Sequence, residues 1–244
     1  MAVLDSTRFF RLSYTFWTLL GINNNQTGWK KLYWIYGILI NLFFPISFCC
    51  SLFVGLLQPQ TFQEKLESVV VFISALSCCA QFLIYALKIK DIKEVDHILR
   101  KLDERILCNE EINIFEEMSS DIQNMTQFFG WSYLAVGVMA ILSGISNMFQ
   151  SQHRLLYSAW LPFDWHNSAL AFCIAGSFQL LALFFCIAQN FADDSFPPIS
   201  LRLLTGHLSC LEFRISTIGH RSFDHPYRIV TLQLSIQDQL ALYE

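Results

Sequence analysis

The side chains best suited to chemistry here are eight cysteines, six histidines and the adjacent carboxylates Asp193-Asp194. Six cysteines (Cys49, Cys50, Cys78, Cys79, Cys173, Cys186) lie in uncharged apolar runs; Cys108 and Cys210 lie in charged segments. Neighbours such as Cys49-Cys50 and Cys78-Cys79 point to different sides of a helix and have no nearby histidine, so neither a disulfide framework nor a metal site is implied. Their expected role is as small packing residues. His207 and His220 stand alone and are expected to be surface or capping residues, while His153 and His166 flank a short aromatic segment and could titrate there. Asp193-Asp194, followed by Ser195 and Pro197-Pro198, reads as a stop signal at the end of an apolar run rather than as a catalytic pair. No Gly-rich phosphate loop, nucleophile elbow or metal-ligand spacing occurs. The expectation is no catalytic residue, no metal, no cofactor and no enzyme.

The elements that carry these residues are set by composition. Of the 244 residues, 54% are hydrophobic and 15% charged, with 23 Phe and a net charge of −4. A soluble chain has about 45–50% and about 25%. Charge is absent for 32 residues between Lys31 and Glu64, 20 between Glu67 and Lys88, 32 between Asp121 and Arg154, and 28 between Asp164 and Asp193. A bilayer takes about 20 apolar residues per helix. The chain therefore reads as an all-α, polytopic membrane helix bundle with four transmembrane helices, at 33–57, 68–87, 128–149 and 169–192. Pro45 falls inside the first, where it removes a backbone donor. A soluble enzyme, a nucleic-acid binder and a disordered tail are excluded.

Lys and Arg set the orientation. Fourteen lie in 1–32, 88–127 and 193–244; only Lys65 and Arg154 lie in the loops 58–67 and 150–168. The positive-inside rule makes the first three segments cytoplasmic. This excludes the topology of G-protein-coupled receptors. It also leaves Asn25-Gln26-Thr27 and Asn124-Met125-Thr126 without sugar, since both face the cytosol. The first 30 residues lack a signal-peptide pattern. Phe9, Leu12, Phe16 and Leu19 instead repeat at helical spacing opposite Arg8, Arg11, Thr15 and Thr18, which suits an interfacial helix.

Helical extensions are expected on the cytoplasmic side. Ile92, Val95, Leu99, Leu102 and Ile106 step by three and four, so the second span continues inward as one helix. Leu201, Leu204, Leu208, Leu211, Ile215 and Ile218 repeat the pattern, and Ile229, Leu232, Ile236, Leu240 and Tyr243 follow after Pro226. These seams pack within the chain or against a neighbouring subunit. The outer segment with Tyr157, Trp160, Phe163 and Trp165 is either a membrane-interface belt or a lid over an apolar cleft.

Two stretches then carry a resemblance. The run Leu155-Leu156-Tyr157-Ser158-Ala159-Trp160-Leu161-Pro162-Phe163-Asp164-Trp165 and the stretch from Ile187 to Gly219, with its Asp-Ser-Phe-Pro-Pro and Leu-Leu-Thr-Gly-His pieces, resemble the insect odorant receptor family. The inside N-terminus and long second cytoplasmic loop fit that family's inverted topology. The resemblance covers the N-terminal four-span portion of a seven-span family, so the chain is expected to be a fragment or truncated form that ends before a fifth span. It implies a subunit of an odorant-gated cation channel, paired with an odorant coreceptor subunit in the plasma membrane of olfactory sensory neurons. The implied ligand is a small volatile odorant, held in an apolar pocket. On this orientation the outward halves of the spans offer Val69, Phe72, Ile73 and Leu76; Ile141, Gly144, Ile145 and Met148; and Phe172, Ala175, Gly176 and Gln179. Gln179 and Ser168 are the hydrogen-bonding candidates. Gly144 and Gly176 could equally be helix–helix contacts. The alternative is a non-conducting membrane interaction protein that associates with receptor subunits through its cytoplasmic helices.

Overall fold

A computed structural model describes residues 5–23, 29–59, 61–106, 108–148, 154–165, 168–220, 232–237 and 239. The His153, His166, Asn25-Gln26-Thr27, Pro226, Ile229, Leu240 and Tyr243 readings lie outside these residues, as do the side chains of Met148, Ile218 and His220. A 3₁₀ turn at Ser6–Phe10 leads into α1 (Arg11–Leu19). The first span is α2 (Lys30–Asn41), a π-helical stretch at Leu42–Ile46, and α3 (Ser47–Leu56). Then come α4 (Phe62–Asp103), α5 (Asn109–Met148) and α6 (Ala169–His220). The architecture is all-helical among the described residues, and four helices are long and apolar enough to cross a bilayer. The chain is a multi-pass membrane protein.

Local chemistry explains the starts and irregularities. Asp5 caps the first turn, its Oδ1 accepting from the Thr7 N–H at 3.0 Å. Thr61 and Glu64 form a reciprocal box before α4: the Thr61 N–H donates to Glu64 Oε2 at 3.1 Å and the Glu64 N–H to Thr61 Oγ1 at 3.4 Å. Ser168 Oγ accepts from the Ala171 N–H at the start of α6. Pro45 sits in the π-helical stretch, where the missing N–H is accommodated by a wider turn. At 42 residues, α4 is about 63 Å long. That is twice the ~30 Å hydrocarbon core, so its Lys- and Asp-rich second half runs beyond the membrane.

The chain divides into two compact units. One comprises Leu12–Ile89 and Phe129–Asp194. Its core joins Phe48, Cys49 and Leu52 of α3, Ala75 and Cys78 of α4, Ala182 and Cys186 of α6, and Ala159. Small thiol and methyl groups let these helices approach closely. Gly21 has φ +87°, a conformation reserved for residues without a Cβ. It lies against Gly37: a Cβ on Gly21 would stand 2.3 Å from the Gly37 Cα. Asn41 Nδ2 donates to the Leu20 carbonyl at 2.7 Å and fixes the same junction.

The other unit comprises Met1–Arg11, Lys90–Phe128 and Ser195–Glu244. Leu99, Leu102, Ile106, Phe115, Met118, Ile122, Ile199, Leu203 and Cys210 are buried. Among the described side chains of the seam expected after the fourth span, Leu211 alone is buried; Leu201, Leu204, Leu208 and Ile215 are exposed. Ile199, Leu203, His207 and Cys210 hold the inner face instead. This helix is apolar on two faces, and periodicity alone cannot choose between them. The N-terminal helix shows the same ambiguity. Phe10, Ser13, Trp17 and Leu20 are buried, whereas Leu12 and Leu19 of the expected stripe are exposed. Thr126, in its glycosylation-like triplet, lies within α5, with its hydroxyl bonded to the Ile122 carbonyl at 2.8 Å.

Candidate functional site

The aromatic segment 154–165 is stitched to three helices. On α3, the Trp160 N–H donates to the Ser51 carbonyl at 3.0 Å and the Ser51 hydroxyl returns a bond to the Trp160 carbonyl. Ser68 of α4 donates to the Ser158 carbonyl at 3.5 Å. Gln179 of α6 donates through Nε2 to the Tyr157 carbonyl at 2.9 Å and accepts from the Tyr157 N–H at 3.3 Å. Gly55 makes the approach possible, since a Cβ there would come 2.6 Å from the Ser158 oxygen. Arg154 pairs with Glu64 at the α4 start. Several groups of this irregular backbone are thereby satisfied by protein partners.

Beneath the segment lies an apolar patch of Leu155, Phe172 and Ala175, with Leu161 and Trp165 packed on it. The Trp165 and Phe172 rings are 6.3 Å apart. Beside it a cavity of about 400 Å³ is lined by Ser68, Ser143, Asn147, Leu155, Tyr157 and Trp165, with Glu64, Glu67 and Arg154 at its polar side. This volume suits a small molecule. Asn147 Nδ2 donates to the Leu155 carbonyl at 3.3 Å.

The expected ligand residues divide into groups. Phe172, Ala175 and Gln179 are all buried near the N-terminal end of α6. Phe72 is half-buried against the core, its ring 5.7 Å from that of Phe53. Val69, Ile73 and Leu76 are exposed on α4, and Ile141 and Ile145 on α5. Gly176 has nothing within 4 Å of an added Cβ, and Gly144 only the Leu180 methyls at 3.8 Å, so neither is a close helix contact. Both polar candidates have a structural bond already: Gln179 to Tyr157 and Ser168 to the α6 start. Sequence reasoning missed Asn147 and the Arg154–Glu64 pair; the signal for the pair was its place as opposite charges in the two loops, 58–67 and 150–168, that carry a single Lys or Arg each. Among the described residues no group of three or more His, Cys, Asp or Glu is placed to hold a metal ion.

A second polar center lies in the other unit. Ser6 donates from its N–H and its hydroxyl to the two Asp103 carboxylate oxygens, each at 2.7 Å. His207 Nε2 lies 3.4 Å from Ser6 Oγ and 3.6 Å from Asp103 Oδ1. Burial, then the nearby Arg214, pushes the His207 pKa down to about 4. The ring is therefore neutral at neutral pH, and its contact with Asp103 is polar rather than ionic. Burial raises the Asp103 carboxyl, against the lowering effect of the two Ser6 bonds. With 5% or less of each side chain exposed, this serine–histidine–aspartate set has no room for a substrate. It fastens the chain's N-terminal turn.

Comparison with known proteins fits this arrangement. The sequence model of the family described as 7tm Odorant receptor matches residues 61–244. Odorant receptor 59a of Drosophila melanogaster is 31% identical over 217 residues, covering 88% of this chain and 54% of that protein. Odorant receptor 33b of the same fly is 27% identical over 218 residues, covering 89% and 56%. The chain thus spans about half the length of these relatives. The solved insect olfactory receptor OR5 from Machilis hrabei shares the fold, with a TM-score of 0.75 at 13% identity over 96% of this chain and 64% of that one. Its complex with eugenol matches with a TM-score of 0.63 at 14% identity, over 97% and 65%. On the match across residues 61–244, this chain belongs to the insect seven-transmembrane odorant receptor family.

Proposed function

We propose that these helices form the ligand-binding part of an odorant receptor subunit. The subunit takes small volatile, largely apolar molecules among the outward halves of α4, α5 and α6. With an odorant coreceptor subunit it makes an odorant-gated cation channel in the plasma membrane of olfactory sensory neurons, N-terminus in the cytosol. The observation that carries this reading is the aromatic segment fastened over Leu155, Phe172 and Ala175, with open space at Gly176. Burial and shape dominate such a site, and few polar anchors are needed. The eugenol held by the related Machilis receptor is of the same chemical kind, small and mostly apolar.

The exposed stripe Leu201, Leu204, Leu208 and Ile215 favours a second reading, a non-conducting protein that associates with receptor subunits. Whole-cell recording separates the two. The coreceptor is expressed with this chain, or with a receptor polypeptide that carries its helices. Odour-evoked cation current from the second pairing supports the receptor reading. Silence across a broad volatile panel, with both subunits at the cell surface, overturns it. Silence together with co-purification of the subunits supports the association reading.

A further inference from the structure

The cavity of about 400 Å³ beside the aromatic segment has a charged wall that a purely apolar ligand leaves unused. Its polar groups come from three places. On α4, Glu67 and Ser68 follow Glu64 by three and four residues, so the three share one face. On α5, Ser143 and Asn147 are four apart and do the same. Arg154, Tyr157 and Trp165 come from the segment itself. All belong to the unit formed by Leu12–Ile89 and Phe129–Asp194.

Among the described lining residues the charged groups are Glu64, Glu67 and Arg154. Two carboxylates thus meet one guanidinium. Arg154 pairs with Glu64, and that pair cancels. Glu67 Oε1 accepts from Gln63 Nε2 at 3.2 Å, but an amide donor is neutral and leaves the negative charge in place. The charge reaches the inner wall: burial, then Glu67, pushes the Tyr157 phenol above its ordinary pKa. Two further donors on this wall are engaged by backbone, the Ser68 hydroxyl with the Ser158 carbonyl and Asn147 Nδ2 with the Leu155 carbonyl. The cavity therefore carries one negative charge beside the Tyr157 and Trp165 rings, and aromatic faces attract cations.

We propose that this cavity binds a small protonated amine, its ammonium against the Glu67 carboxylate and its apolar body along Leu155 and the Trp165 ring. The inference rests on the reading of the aromatic segment as part of a ligand site, and gives that site a ligand class. Alkylamines and arylalkylamines are cationic at neutral pH, as a Lys side chain is. Glu67 is exposed, so solvent limits the gain from the charge to about fivefold in affinity. The gain falls as salt rises.

The test uses the whole chain in nanodiscs of phosphatidylcholine, a lipid without net charge that does not itself collect cations. Phenethylammonium and phenethyl alcohol differ only in the head group. Their affinities are measured by saturation-transfer NMR at low and high salt. The expected result is that both bind, with the amine about fivefold tighter at low salt and the preference shrinking at high salt. Glu67→Gln keeps an acceptor for Gln63 and should abolish the preference while leaving the alcohol's affinity unchanged. Glu212→Gln removes an exposed carboxylate from the other unit and should keep the preference. Equal affinities in the wild type overturn the amine proposal and leave the ligand site standing. A preference that survives E67Q, or that E212Q also removes, overturns the proposal, as does an E67Q that loses the alcohol too. Binding of neither ligand to the wild type overturns the proposal and the ligand site together.

Discussion

Gln179 on α6 closes a two-point hydrogen bond with the backbone of Tyr157, donating to its carbonyl at 2.9 Å and accepting from its N–H at 3.3 Å. One fully buried amide thus substitutes for a strand or helix partner and holds the aromatic segment down. Gln179→Leu keeps the bulk and leaves both backbone groups unpaired, at about 1–3 kcal/mol each. The expected outcome is a lower melting temperature in detergent and a loosened segment, seen as faster amide exchange at Tyr157 and Ser158. Unchanged exchange contradicts the assigned role.

The Gly21–Gly37 junction predicts a steep size dependence. A Cβ on Gly37 would come 2.7 Å from the Gly21 oxygen, which is backbone and cannot swing aside. Gly37→Ala should cost about 1–3 kcal/mol by overpacking, and Gly37→Val more. Gly176→Ala, in open space, should be neutral. The check is yield and thermal stability of the three variants side by side.

His207 gives the second unit a pH dependence of defined sign. Its folded pKa, about 4, lies below the ordinary 6.5. Its contribution is complete above pH 6.5 and is lost as pH falls toward 4, when only the unfolded chain gains the proton. The full loss is on the order of 3 kcal/mol. Asp103 acts the opposite way, since its raised carboxyl favours the folded state at acid pH. The clean readout is therefore a difference: wild type minus His207→Gln, measured by denaturation between pH 7 and 4.5, should shrink as pH falls. A constant difference contradicts it.

Two arginines in that unit should differ sharply. Arg214 pairs with Glu111, which is almost wholly buried, and donates to the Arg105 carbonyl at 2.7 Å. Arg214→Ala strands a buried carboxylate, at about 3–5 kcal/mol. Arg202 binds Asp121 at 2.7 Å, but Asp121 is half exposed, so Arg202→Ala should cost at most about 1 kcal/mol. Equal effects would show that burial does not set the cost.

Much of this fold was legible in the sequence, because charge-free runs the length of a bilayer have few other fates. The continuation of the second span as one long helix could be read from the Ile92–Ile106 stripe, of which Leu99, Leu102 and Ile106 lie inside while Val95 is exposed. The seam choice after Asp193 could not. Leu201, Leu204 and Leu208 look more core-like than His207 and Cys210, yet His207 faces in against Ser6 and Asp103, and Cys210 against the Glu111 carbonyl at 3.9 Å. The candidate site was legible in part. The aromatic segment and its two readings were visible, and Phe172 and Ala175 do lie under it. The structural use of Gln179 was not, because a glutamine facing an apolar cleft looks the same in sequence whether it meets a ligand or a backbone.

The most direct test of ligand binding is photolabelling. A diazirine-bearing odorant analogue is crosslinked to the receptor assembled with its coreceptor, and the labelled peptides are mapped by mass spectrometry. The account predicts adducts within 68–76, 141–148 or 154–179, suppressed by excess unmodified odorant. Displaceable adducts confined to 88–127 or 195–220 would contradict it.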